Sequence, residues 1–150
     1  MTKFIAILLF VFSHTNCSEI AVIRKNFHEI DSKEQLYEFI EFTEKNYCIE
    51  VEPYLASAIM MKAEYVFFPH TKMKYFKNGK KRLETFINEH PDNLEAKYMR
   101  FLIQSEIPSF LNYNDNIESD FNQINQDIQS STLPEEYKNV ITTNINKINP

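Results

Sequence analysis

Residues 79–91 read GKKRLETFINEHP, and their spacing is that of an amphipathic helix that stops at a proline. Leu83, Phe86 and Ile87 fall on one helical face, and Gly79 lies one turn earlier on that face. Pro91 cannot continue a helix, because its ring fixes φ and it has no amide hydrogen. The pattern predicts a helix that packs an apolar stripe against a close neighbour and then turns sharply into another helix.

The glycine in this stretch is the only one in the 150-residue chain. Glycine-rich phosphate loops and tight hairpins need glycine at positive φ or beneath a phosphate, so dinucleotide-binding folds and small all-β folds are disfavoured. The chain is 43% hydrophobic and 25% charged, which is typical of a globular protein. The sequence therefore predicts an all-α fold.

The same helical spacing extends in both directions from residues 79–91. Prolines and candidate caps divide it into about six to seven helices after an N-terminal leader. The expected helices lie near residues 19–30, 33–47, 53–66, 72–89, 93–107, 115–128 and 134–148. Short connections predict antiparallel neighbours, and the helix near 72–89 should bury Met73 with the stripe that follows it.

Gly79, Leu83, Phe86 and Pro91 are spaced as in the second helix of a tetratricopeptide repeat, which the chain resembles here. The resemblance implies an antiparallel helical array in which a small residue at 79 lets a neighbouring helix approach. Substitution of Gly79 by alanine should then be tolerated, and substitution by leucine should not. Pro69 interrupts the expected first helix of that repeat, which predicts an insertion before the fourth helix.

By the same resemblance, the partner-facing side belongs to the first helix of a unit. This implies an extended peptide or another protein as the partner. An aromatic side chain of this chain would stack against the partner, and an acidic side chain would make polar contacts with it. The expected partner-binding residues are Glu95, Tyr98, Leu102 and Ser105, bordered by Lys77, Lys80 and Lys81.

A second resemblance covers residues 54–127, the repeat-like core. The segments Tyr54–Ala56, Met60–Ala63, Tyr75–Lys81 and Pro108–Leu111 are similar to those of a family of small exported bacterial proteins without an assigned activity. The resemblance implies an exported helical protein and supplies no catalytic residues.

The N-terminus has the composition of a secretory signal peptide. Lys3 precedes nine apolar residues, Phe4–Phe12, and a polar exit follows, whereas a membrane span needs about 20 apolar residues. We expect residues 1–17 to be removed, residues 18–150 to form one domain, and the protein to be periplasmic or secreted. Cleavage after Cys17 would leave Cys48 alone, so no intramolecular disulfide is expected; acylation of Cys17 as a lipoprotein is the alternative.

One ion pair is expected inside the fold. Arg100 lies beside the apolar stripe of its helix and needs an acceptor there, and Glu118 or Asp120 of the next helix could supply it. We take Arg100–Asp120 as the structural pair.

No catalytic, metal-binding or cofactor-binding site is predicted. His28, His70 and His90 fall on different segments without ligand spacing, and no nucleophile–base grouping is present. The net charge of −5 and the expected export argue against nucleic acid as a partner. The basic segment 72–82 could be a solvated helix face, a contact for an acidic protein, or a contact for a membrane surface.

The sequence thus predicts an exported helical-repeat interaction module that is not an enzyme. The alternative is a helical bundle that binds a lipid or small molecule, as the aromatic run Tyr65–Phe68 suggests unless those side chains pack in the core.

Overall fold

The computed structural model describes residues 17–148, and this part of the chain is all-helical, as predicted. Seven α-helices and three short 3₁₀ segments are present among these residues, without β-strands. The helices are α1 (Ile20–His28), α2 (Lys33–Lys45), α3 (Glu52–Met61), α4 (Pro69–Glu89), α5 (Leu94–Glu106), α6 (Ile117–Asp127) and α7 (Glu135–Ile148). None of the described helices is long and apolar enough to span a membrane.

Helix ends follow from local chemistry. The Ser32 hydroxyl accepts from the Gln35 amide at the start of α2, and the Asn93 side chain accepts from the Ala96 amide at the start of α5. Pro69 occupies the first position of α4, where its missing amide hydrogen costs nothing. For this reason α4 starts earlier than expected. Helix α3 ends at Met61, and a 3₁₀ turn, Lys62–Tyr65, follows it.

Helices α3 and α4 form an antiparallel pair. The Arg82 guanidinium binds the Glu52 carboxylate at 2.6 and 2.7 Å near one end, and the Lys62 ammonium lies 4.5 Å from the centre of the Tyr75 ring near the other. Helices α5 and α6 are likewise antiparallel, because Lys97 binds Gln123 while Gln104 binds Asn116. The predicted short antiparallel connections are therefore present in this part of the chain.

Gly79 lies where α4 crosses α3. A Cβ atom placed on it would stand 2.8 Å from the Met60 backbone nitrogen and closer still to the Ala56 carbonyl oxygen. The expectation that alanine would be tolerated is wrong, because the two backbones would have to separate by part of an ångström. Close packing is the reason for the glycine, as expected, and even one methyl group exceeds the space.

The described fold begins with a disulfide bond. Cys17, just before α1, is bonded to Cys48, just before the 3₁₀ segment Ile49–Val51, with their Cα atoms 5.8 Å apart. The expectation of an unpaired Cys48 is therefore wrong. Removal or acylation of Cys17 would exclude this bond. The bond therefore requires that Cys17 is retained and that its thiol is not acylated. The predicted leader, residues 1–17, lies outside the described residues except for Cys17.

Candidate functional site

The first half of α5 is closed by three other helices. The Glu95 carboxylate accepts two hydrogen bonds from the Arg24 guanidinium of α1, at 2.5 and 2.9 Å, and a third from the Tyr54 hydroxyl of α3. Tyr54 in turn shares a 2.6 Å hydrogen bond with Tyr137 of α7. Burial raises the pKa of Tyr54 well above its ordinary value, and the negative charge of Glu95 raises it further.

Tyr98 lies next to this cluster and is fully buried. Its hydroxyl accepts a 2.7 Å hydrogen bond from Asn144 of α7, its ring lies 5.7 Å from the His28 ring, and burial raises its pKa to about 12. A partner could reach neither Tyr98 nor Glu95 without opening the core. Their expected partner-facing position is therefore wrong, because α1 and α7 cover the side of α5 that the repeat pattern leaves open.

Arg100 forms the expected ion pair with Asp120. Its guanidinium binds both carboxylate oxygens at 2.7 Å and also reaches Glu84 of α4 at 3.0 Å. Tyr113 donates to the other oxygen of Glu84. These contacts join α4, α5 and α6 and hold the turn after α5 against the fold, which is the structural role expected of the pair.

The second half of α5 lines an apolar cavity of about 760 Å³. Leu102 and Ile103 form its wall on α5, and Phe76 and Met73 form its wall on α4. The remaining apolar lining comes from the end of α1 with the loop after it, the end of α3 with its 3₁₀ turn, the start of α4, and the turn after α5: Phe27, Ile30, Met60, Met61, Ala63, Tyr65, Pro69, Ile107, Pro108, Phe110 and Leu111. Its volume lies within the range of ligand sites in proteins, which is about 300–1,000 Å³.

The mouth of the cavity is open and carries apolar side chains. Phe110 is 77% exposed and Met73 36% exposed, although Met73 was expected to be buried. Phe67 and Phe68, in the 66–68 segment that connects Tyr65 to α4, are exposed as well, so these two side chains of the aromatic run do not pack in the core, and neither lines the cavity. An exposed phenylalanine at the mouth of an open apolar cavity, as Phe110 is, is typical of a binding surface.

Four charged side chains stand at the rim. Asp31 lies in the loop between α1 and α2, Glu64 in the 3₁₀ turn after α3, Glu106 at the end of α5, and Lys72 in the first turn of α4. All four are exposed, and none forms a salt bridge within residues 17–148. The rim therefore has a formal charge of −2.

Of the predicted partner-binding residues, only Leu102 lines this cavity. Ser105 donates to the Phe101 carbonyl at 2.7 Å, as a helical serine without a ligand does. Lys80 stacks on the Tyr113 ring at 4.2 Å, while Lys77 and Lys81 are exposed elsewhere on α4. The expected grouping of these lysines with Leu102 is therefore wrong.

Sequence reasoning missed the ion pair between Arg24 and Glu95 and most of the cavity wall. Arg24 and Glu95 are 71 positions apart, and no local pattern connects them. Met61 and Met73 carried a usable signal, because methionines at an accessible helix face are common on adaptable binding surfaces.

Comparison with known proteins gives no relative from which a role could be taken. No family model and no curated protein matches the sequence, and no solved structure matches the fold.

Proposed function

We propose that this protein is an exported helical interaction module, without catalytic activity, that holds apolar side chains of a partner polypeptide in the α3–α4–α5 cavity. The observation that carries the proposal is the cavity itself, which is large, apolar and open to solvent. Burial of an apolar side chain is worth roughly 1.5–3 kcal/mol, so a few anchors inserted there would supply useful affinity.

The composition of the wall supports a binding role. Methionine side chains adapt to partners of different shape, and the exposed ring of Phe110 offers rigid contact area at the mouth. The ionisable groups of the cavity lie at its rim, whereas Glu95 and Arg100 are tied into buried ion pairs. Catalysis has no place in the proposal, because within residues 17–148 no acid–base pair faces the apolar interior.

A neutral solvatochromic dye such as Nile red tests whether the cavity takes apolar groups. The variant Ala63→Trp places a large side chain in the wall, and Ala21→Trp adds the same side chain at an exposed position on α1. We expect Ala63→Trp to weaken dye binding about tenfold or more and Ala21→Trp to leave it unchanged. Equal binding by all three proteins, with unchanged melting curves, would contradict the proposal.

The second candidate is a carrier of a lipid or small molecule. Tyr65, from the aromatic run that suggested this role, does line the cavity. Native mass spectrometry of protein recovered from its compartment separates the two candidates. A retained lipid would favour the carrier, whereas a bound polypeptide that Ala63→Trp releases would favour the module.

A further inference from the structure

We infer that the partner segment is a cationic amphipathic helix, whose apolar face enters the cavity while its lysines or arginines meet the acidic rim. This inference rests on the proposed function and adds the chemical class of the partner. Three carboxylates, from Asp31, Glu64 and Glu106, surround the mouth against the single ammonium of Lys72.

The origin of the acids in three separate segments supports a helical occupant with several basic residues beside its apolar face. Asp31 follows α1, Glu64 belongs to the 3₁₀ turn after α3, and Glu106 ends α5, and all three line the cavity. None has a cationic partner within residues 17–148, so each can accept one from outside. A helix in a groove needs such apolar anchors flanked by complementary charge.

The same charges argue against the other occupants. A fatty acid or an anionic phospholipid would bring its head group to a rim that carries negative charge. Methionines in the wall suit apolar helix residues of varied shape better than one fixed ligand.

Two labelled peptides of identical length and leucine pattern provide the test. One carries lysine and the other glutamate at every polar position, and both are measured by fluorescence anisotropy and by displacement of Nile red. We expect the lysine peptide to bind about tenfold or more tightly than the glutamate peptide and to lose affinity as salt is raised.

Matched charge reversals locate the effect. The double variant Glu64→Lys/Glu106→Lys should bring the two peptides to similar affinity or reverse their order. The control Glu38→Lys/Glu89→Lys makes the same change in net charge at exposed positions outside the cavity and should preserve the preference. A preference that the control abolishes equally would overturn the inference, because it would reflect net charge alone.

The outcomes distinguish this inference from the proposed function. Equal binding of both peptides with displacement of the dye would overturn the cationic partner and leave the apolar cavity as a binding site. Failure of both peptides and of the dye to bind would overturn both. Retention of an anionic lipid, or a dimer in sedimentation that the peptide cannot dissociate, would overturn the cationic helix as occupant.

Discussion

The two ends of α5 place side chains of one helical face in opposite surroundings. Near the start, Glu95 and Tyr98 are buried beneath α1 and α7 and satisfied by hydrogen bonds. Near the end, Leu102 borders an open apolar cavity. Among the described residues, α7 contributes nothing to the cavity wall, so the coverage by this helix makes the difference. A stripe of residues at helical spacing therefore does not reveal which part of it remains accessible.

The difference between the two ends of α5 is tested most directly by removal of the Glu95 carboxylate, which closes the first half. Glu95→Ala would leave the Arg24 guanidinium buried without its acceptor, and Tyr54 would lose one as well. We expect the free energy of unfolding to fall by about 3–5 kcal/mol, measured by urea denaturation.

Glu106→Ala is the matched control at the other end of the same helix. Its carboxylate is exposed and forms no salt bridge within residues 17–148, so the change should stay within about 0.5 kcal/mol. Similar losses for the two variants would show that the halves do not differ as described.

A smaller effect should follow from releasing α1, which supplies Arg24 to the closed half. The Cys17–Cys48 bond closes a sequence separation of 31 residues, and its loss costs about 3.7 kcal/mol in the chain-entropy account. We expect the double variant Cys17→Ser/Cys48→Ser to melt at a lower temperature and to lose hydrogen-exchange protection in α1 and in the start of α5.

Dithiothreitol should lower the melting temperature of the unsubstituted protein and leave the double variant unchanged. Loss of protection at the cavity end of α5 before the closed end would contradict the assignment of the bond to the closed half.

The smallest of these effects is a pH dependence confined to the closed half. Burial lowers the pKa of His28 below its ordinary value of 6.5, so the unfolded chain takes up a proton at higher pH than the folded chain. Stability should therefore be fully present above about pH 6.5 and decrease as the pH falls through the folded pKa.

Chemical denaturation at a series of pH values measures this dependence. His28→Asn should flatten the part of the profile that begins near pH 6.5, whereas His70→Asn, at an exposed position, should leave it unchanged. A profile that both variants leave unchanged would remove His28 as the titrating group.

Much of the fold was predictable because its signals are local. Prolines and apolar spacing placed the helices, and a guanidinium beside an apolar stripe required an acceptor such as Asp120 on the next helix. Burial of Glu95 and Tyr98 was not predictable, since it depends on Arg24 and Asn144 arriving from distant parts of the chain. The bond between Cys17 and Cys48 likewise depends on where the start of α1 meets the segment before α3.

The shared helix also connects the two halves thermodynamically. Any molecule that binds the cavity only while α5 is folded stabilises every contact that requires α5, including those of Glu95, by an amount that grows with its concentration relative to its Kd. Linkage is reciprocal. A change that loosens the Arg24–Glu95 pair enough to populate a frayed α5 therefore lowers the apparent affinity of the cavity in proportion to the fraction of molecules in which α5 stays folded. A ligand bound at one end of this 13-residue helix thereby stabilises the ion pair at its other end, without any contact between the two.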